Sequence, residues 1–281
     1  MANNSYIKNM TKEILIIKKD DLENEIIFNK GINSIQEFGA IIVKGLISED
    51  FSNELKSALI KCLKEDEINR GNEYLFHGMV HALMTRDKVF RSLLENEFIL
   101  KLTRGVLGKG AINHAFNSSS MPPKGTNFSR SIHVDCPRFI PNYITNIGIT
   151  IALDPFKSEN GAMEIMPMSF RDTEPPTESD FEKNSIQLNN LEVGDAIIFN
   201  ARCWHRGGLN STSNWRHSVT MNNCRAYMRQ QFDYPSMFSE SESNDFSEDL
   251  KQFLGYFVRI PKSMDDFLLP ASQRLYKPGQ E

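Results

Sequence analysis

The tripeptide His133-Val134-Asp135, followed seventy positions later by His205 and eleven beyond that by Arg216, constrains this chain more than any other feature. On an extended strand, residues two apart point to one face, so His133 and Asp135 aim together while Val134 turns away. The third donor must then arrive on another strand that folding brings alongside, which demands a β-rich scaffold closed back on itself. The apolar run 196–199, entered through a Gly194-Asp195 turn, would carry His205 to the same cavity. Two imidazoles and a carboxylate hold one face of an octahedral Fe(II) and leave three positions open, the arrangement of non-haem iron oxygenases. Arg216 adds a planar fork that grips a carboxylate bidentately, as a 2-oxoacid co-substrate such as 2-oxoglutarate would require.

The surrounding pattern supplies strands. Residues 111–118, 131–135, 143–153, 162–166, 196–200, 216–222 and 224–230 read as short β segments, with 191–195 a strand end and turn. Many short strands separated by turn residues predict a sandwich, jelly roll or barrel. The first hundred residues differ. One β-branched strand spans 38–47, and Ser48 caps a helix carrying Phe51, Leu55, Ala58, Leu59 and Leu63 at helical spacing. Further helices are expected over 78–86 and 88–107, the latter ended by Gly108 and Gly110. Residues 1 to about 30 are polar and read as peripheral, 171–185 as a surface loop or lid, and the acidic 239–249 as a solvated insertion.

The chain has 281 residues, 40% hydrophobic and 24% charged, enough for a sizeable core in one domain. Within that domain, 1–110 is mostly helical support with one strand, 111–235 the barrel core with the metal site, and 236–281 a C-terminal extension. A net charge of −4 speaks against a nucleic-acid partner, which needs a basic footprint. No apolar run approaches the ~20 residues that span a bilayer, so no membrane partner is expected. The apolar stretch 14–17 is too short for a signal-peptide core, and the expected location is cytoplasmic. Cys62, Cys136, Cys203 and Cys224 form no C-x-x-C pair, and Cys136 and Cys203, close to proposed ligands, read as small packed residues near a pocket. His77 and His81 stand four apart on an expected helix but lack the glutamate of a metalloprotease motif; His114 and His217 read as ordinary histidines.

At this point the residues match a family. The segment from His133 to Arg229 resembles the phytanoyl-CoA dioxygenase-like branch of the Fe(II)/2-oxoglutarate oxygenases. Besides the ligand tripeptide, Ile151-Ala152-Leu153-Asp154 followed by Glu159-Asn160-Gly161-Ala162-Met163 looks like the family's "ALD" strand and "ENG" turn. Gly194-Asp195 to His205 is similar to the strand bearing the second histidine, and Asn210-Ser211 with Arg216-His217-Ser218 to the 2-oxoglutarate segment. Pro167-Met168-Ser169-Phe170 stands where the family shows Pro-Gly-Ser-His, a departure at Met168 and Phe170. The opening strand 38–45 also fits, so the likeness covers roughly residues 35–234.

The resemblance implies a mainly β fold with flanking helices, a double-stranded β-helix of jelly-roll or cupin-like type. It implies Fe(II), 2-oxoglutarate and O2 as cofactors, with His133, Asp135 and His205 as metal ligands. Arg216, helped by the hydroxyl of Ser218 or Thr150, would hold the distal carboxylate of 2-oxoglutarate. The implied activity is oxidation of a small-molecule substrate, hydroxylation by default, in biosynthetic tailoring within secondary metabolism. Asp135 speaks against halogenation, for which related enzymes replace that carboxylate. Arg130 and Arg138 flank the ligand strand, Arg202 and Arg206 flank His205, and all four, with Asn117 and Trp204, are substrate candidates. Two other readings stay open: a cupin-type metal dioxygenase that needs no 2-oxoacid, and a non-catalytic barrel that only binds. Neither substrate identity nor oligomeric state follows from the sequence.

Overall fold

The central sheet is buried on both faces, and alternate side chains along its strands pack into two different layers. The computed structural model describes residues 13–71, 76–274, 276–277 and 279–280. The chain runs β1 (Leu15–Lys18), α1 (Glu25–Glu37), β2 (Ala40–Lys44), α2 (Glu49–Arg70), α3 (Lys88–Leu94), α4 (Glu97–Leu107), β3 (Ile112–Ser118), β4 (Asn146–Ala152) and β5 (Glu164–Ile165). It continues through α5 (Glu178–Asn184), β6 (Ile186–Gln187), β7 (Ala196–Asn200), β8 (His205–Arg206), β9 (Ser218–Cys224), α6 (Glu240–Asn244), α7 (Glu248–Phe253) and α8 (Met264–Leu268). Six strands pair in the order β1-β2-β7-β4-β9-β3, and a smaller sheet has the order β6-β5-β8. Every ladder is antiparallel except β1 with β2.

One face of the large sheet presents Ile41, Val43, Ile147, Ile149, Ile151, Ile198, Val219 and Met221, packed with Ile35, Leu55, Leu59, Leu93 and Leu102 of the helices. Each such fully buried aliphatic side chain contributes about 1.5–3 kcal/mol. The intervening Ala40, Ile42, Ile197 and Phe199 point the other way, against Met163, Ile165, Leu188 and Leu191 of the smaller sheet and its loops. The same parity puts Thr150, Ser218, Thr220 and Asn222 on that second face, around a polar cavity. Gly148 is required on that face, because a Cβ there would lie 2.2 Å from Cζ of Phe199. Gly194 is required at the turn into β7: its φ is +85°, and a Cβ would meet the carbonyl oxygen of Ile47 at 2.3 Å. Asp195 closes that turn by accepting from the backbone N–H groups of Glu192 and Gly45, both at 2.7 Å.

Ser48 caps α2 as expected, accepting from the N–H of Phe51. Several expectations need correction. Residues 13–30 are not peripheral: β1 pairs with β2 and buries Ile17, and Leu22 is buried just after it, so the N-terminal half holds two strands before β3, not one. Residues 1–12 lie outside the described residues. No α-helix spans 78–86. Ala82 adopts φ +51°, and Gly78 and Val80 instead accept from the N–H groups of Ser120 and Ser118, lining the end of β3. His77 and His81 therefore share no helical face. The expected helix 88–107 is two helices, broken where Asn96 turns its side chain back to cap α4.

Residues 225–230 are turn rather than strand, because β9 ends at Cys224. Segment 171–185 contains α5, whose Phe181 is fully buried, so it is docked rather than a free loop. Segment 239–249 is not wholly solvated: it forms α6 and opens α7, whose Leu250 and Phe253 join the helix-side core. More described residues lie in α-helices than in strands, so the architecture is mixed sheets with flanking helices rather than mainly β. The strand content is low because the smaller sheet is built from two-residue strands and isolated bridges.

Candidate metal centre

His133 and His205 face each other across a single antiparallel bridge. The N–H of His133 donates to the carbonyl of His205 at 3.0 Å, and the N–H of His205 donates to that of His133 at 2.9 Å. Residues paired in this reciprocal way project their side chains to one face, and the two rings lie with centroids 4.2 Å apart. Two residues along, the N–H of Asp135 bonds the carbonyl of Ala201 at 2.9 Å, which keeps the ligand segment extended. Oδ1 of Asp135 is then 3.6 Å from Nε2 of His133 and 3.7 Å from Nε2 of His205. One donor atom from each residue lies within 4.8 Å of the others, and this is the cluster of three such side chains found among the described residues.

The imidazoles are already set for coordination. Nδ1–H of His133 donates to the carbonyl of Ser131 at 2.7 Å, and Nδ1–H of His205 to that of Cys203 at 2.9 Å. A carbonyl only accepts, so the proton sits on Nδ1 and the Nε2 lone pair is free toward the shared space. Burial pushes the His205 imidazole down to about 4, against the opposing pull of Asp135, so it is neutral at ordinary pH. The edge of Phe199 closes one side, 5.0 Å from His205 between ring centroids. Two imidazoles and a carboxylate on one side of an open space are a donor set for Fe(II).

A cavity of about 230 Å³ opens beside these donors, and Arg216 reaches into it. Its guanidinium lies over the Phe156 ring, 4.2 Å from the centroid. Nη2 donates to the carbonyl of Gly161 at 2.7 Å; Nη1 donates to the carbonyl of Ser119 at 3.1 Å and to the hydroxyl of Ser218 at 2.9 Å. Nε has no partner, and no carboxylate among the described residues forms an ion pair with this group, which is only 3% exposed. Burial lowers its pKa to about 9, so it still carries its charge at neutral pH. Asp154 pulls the other way from a distance, but a buried charge with no carboxylate in contact is costly and is best explained by an anion that completes it.

Ser218 stands where strand parity puts it, but its hydroxyl proton goes to the carbonyl of Ser119 at 2.8 Å, so it positions Arg216 rather than offering a donor. Thr150 lines the same cavity, its hydroxyl 3.2 Å from that of Thr220. Asn117 also lines it, although its Oδ1 accepts from the N–H of Ala82 at 3.2 Å. Of the other substrate candidates, only Arg206 also lines it. Arg130 bonds the carbonyl of Gly207 at 3.3 Å and faces Glu164 at 3.7 Å, while Arg138 lines a different cavity. Trp204 precedes His205 and so points away from the cavity, which it does not line. Arg202 donates to the carbonyls of Phe170 and Pro137, and Arg206 is paired with Glu164 and Glu178. Thr220 and Asn222 were within reach of sequence reasoning, since they continue the alternation begun by Arg216 and Ser218. Phe156, the seat of the arginine, carried no signal.

Residues 35–218 match the family model for phytanoyl-CoA dioxygenase (PhyH). The chain belongs to the phytanoyl-CoA dioxygenase family. An uncharacterised protein of Mycobacterium bovis is 25% identical over 271 residues, covering 92% of this chain and 98% of that protein. A dioxygenase of Alternaria alternata is 24% identical over 257 residues, covering 81% of each. Among solved structures, the epimerase SnoN in complex with Fe3+, alpha-ketoglutarate and nogalamycin RO superposes with a TM-score of 0.59 at 17% identity, covering 72% of this chain and 85% of that one. The cofactors of the PhyH family are Fe(II), 2-oxoglutarate and O2, and the His-Asp-His cluster with the unpaired Arg216 suits the first two.

Proposed function

We propose that this chain is a single-domain, cytoplasmic Fe(II)/2-oxoglutarate-dependent oxygenase with a double-stranded β-helix core. It oxidises a small organic substrate, hydroxylation being the default outcome, while 2-oxoglutarate is converted to succinate and CO2. The observation that carries the reading is the buried guanidinium of Arg216, with no carboxylate in contact, in the same cavity as the His133, Asp135 and His205 donors. A metal centre alone would not need it; a metal centre that works with a dicarboxylate would. The four thiols are free and buried, as a reducing compartment would keep them. A biosynthetic tailoring role is supported by the small-molecule ligand in the SnoN structure.

Bound Fe(II) would supply the oxygen chemistry, with His133, Asp135 and His205 holding one face of it. Arg216 would bind and orient the distal carboxylate of 2-oxoglutarate, Thr150 contributing a hydroxyl from the neighbouring strand. Phe156, Met163 and Phe199 line the same cavity and exclude water from it.

The test is an anaerobic titration of the Fe(II)-loaded protein with 2-oxoglutarate, following the weak visible charge-transfer band of the chelate. The band is expected in the wild type. In Arg216→Ala the apparent Kd for 2-oxoglutarate should rise by at least about tenfold, the scale of a lost charge-assisted hydrogen bond. Iron bound stoichiometrically with no band at saturating 2-oxoglutarate would defeat the reading.

A further inference from the structure

A second cavity, of about 580 Å³, lies beyond the metal site at the end of the sheet where β4 begins and β7 and β9 finish. Four arginines line it, Arg138, Arg171, Arg202 and Arg225, against one carboxylate, Glu37. None of the four forms a salt bridge with a described residue. In a chain of net charge −4, a surplus of basic residues does not account for such a cluster.

Three of these side chains are held in place by backbone carbonyls, Arg171 by that of Glu37 at 3.0 Å. Arg202 donates to those of Phe170, Pro137 and Asp172, and Arg225 to those of Ile144, Leu107 and Val106. These bonds fix the guanidiniums without neutralising them, and a guanidinium has five N–H donors, so each keeps about two or more unused. Three of the arginines also rest on aromatic rings of the same cavity: Arg202 over Phe139 at 5.2 Å, Arg225 over Tyr143 at 4.0 Å and Arg171 over Phe170 at 5.1 Å. Arg138, exposed at the rim, has no partner at all among the described residues. The lining therefore combines apolar groups such as Phe139, Ile140, Ile144 and Phe170 with amides such as Asn146 and Asn200 and with fixed cations, which matches an organic anion with a partly apolar body.

The cavity shares a wall with the metal site. Cys136 lines it, and its neighbour Asp135 lines the metal-site cavity. Asn146 lines it too, and donates at 2.8 Å to Oδ1 of Asn222, which lines the other. We propose that this second cavity binds the anionic end, a carboxylate or phosphate, of an organic substrate. The substrate role rests on the oxygenase reading above; the anion site itself does not.

The probe is 1-anilinonaphthalene-8-sulfonate, an apolar sulfonate, titrated by fluorescence into the full chain without iron or 2-oxoglutarate. One saturable site is expected. Arg138 and Arg171 are exposed, so the Arg138→Ala/Arg171→Ala variant keeps its fold, checked by circular dichroism. Its Kd should rise about tenfold or more, the scale of lost charge-assisted contacts. A control variant, Arg259→Ala/Arg274→Ala, lies outside this cavity and should bind as the wild type does. Octanoate or octyl phosphate should displace the probe where octanol at the same concentration does not, and the stronger competitor names the anion class. Absent binding, unchanged affinity in the first variant, an equal loss in the control, or displacement by octanol as good as by the anions would each overturn the proposal. A chelate band present without an anion site defeats this inference alone, whereas an anion site without a chelate band defeats the oxygenase reading.

Discussion

Arg216 is charged, buried and has no carboxylate in contact, and it is tolerated because two backbone carbonyls accept from it and the face of Phe156 covers its plane. Its partner on the strand, Ser218, was legible from parity alone, but the direction of the Ser218 hydroxyl depended on Ser119, which only folding brings near. Met168 shows a different kind of residue-scale tension. It stands where the family pattern has glycine and adopts φ +61°. A left-handed non-glycine residue costs about 1–2 kcal/mol, partly offset because glycine loses more chain entropy on folding. Met168→Gly is expected to stabilise the protein by up to about 1 kcal/mol in urea denaturation. His217 gives the pH dependence. Burial pushes its imidazole down to about 4 from an ordinary 6.5, with Asp154 pulling the other way. The unfolded residue takes up a proton first as pH falls, so this stability is complete above about 6.5. It is lost progressively toward 4, by on the order of 3 kcal/mol. In His217→Gln the urea midpoint should therefore fall less than in the wild type between about pH 7 and pH 4.5; an unchanged pH profile would remove His217 from the account.

Elements were legible where one period dominated a segment. The capped helix α2 and the strands β4, β7 and β9 carry such signals, and each was found within a few residues. The failures came where tertiary partners decided. Val80, Leu83 and Met84 have helical spacing, yet the N–H groups of Ser118 and Ser120 draw that stretch alongside β3. The four residues of β1 were too few to stand out, and their order comes from pairing with β2. The break between α3 and α4 was readable in principle: Asn96 accepts from the N–H groups of Phe98 and Ile99 and cannot continue a helix while doing so. Asn96→Ala is expected to cost about 1 kcal/mol by loss of that cap. Chemical denaturation measures it, and a neutral outcome would mean α4 is held by packing of Phe98, Leu102 and Val106 alone. Segment 171–185, which reads as a surface loop or lid, is fastened by its helix. Glu178 of α5 pairs with Arg206 beside His205, and the Arg206 guanidinium lies 5.0 Å from the ring centroid of buried Phe181. That fastening ties α5 to the strand carrying the candidate ligand.

At the scale of the whole molecule, the candidate ligands were more legible than the scaffold that positions them. The tripeptide and His205 are chemical signals in the chain, but their meeting depends on the His133–His205 bridge and a few single backbone bonds beside it, at the edge of a sheet of two-residue strands. So little backbone pairing makes this side of the molecule dependent on whatever joins it. A metal held by both segments would do so, and ligand binding to the folded state raises stability by RT ln(1 + [L]/Kd), about 2.7 kcal/mol at a hundredfold excess over Kd. For a chain of this size that corresponds to a rise in Tm of roughly 5–10 °C. Anaerobic thermal melts should show one increment with Fe(II) and a further one with 2-oxoglutarate, both reversed by a chelator. In Asp135→Ala or His205→Ala both increments should disappear while the apo melt stays cooperative. In Arg216→Ala the iron increment should remain and the 2-oxoglutarate increment should vanish, separating the two halves of the site. An iron increment that survives intact in Asp135→Ala would show that the metal sits elsewhere and that His133, Asp135 and His205 converge for another reason.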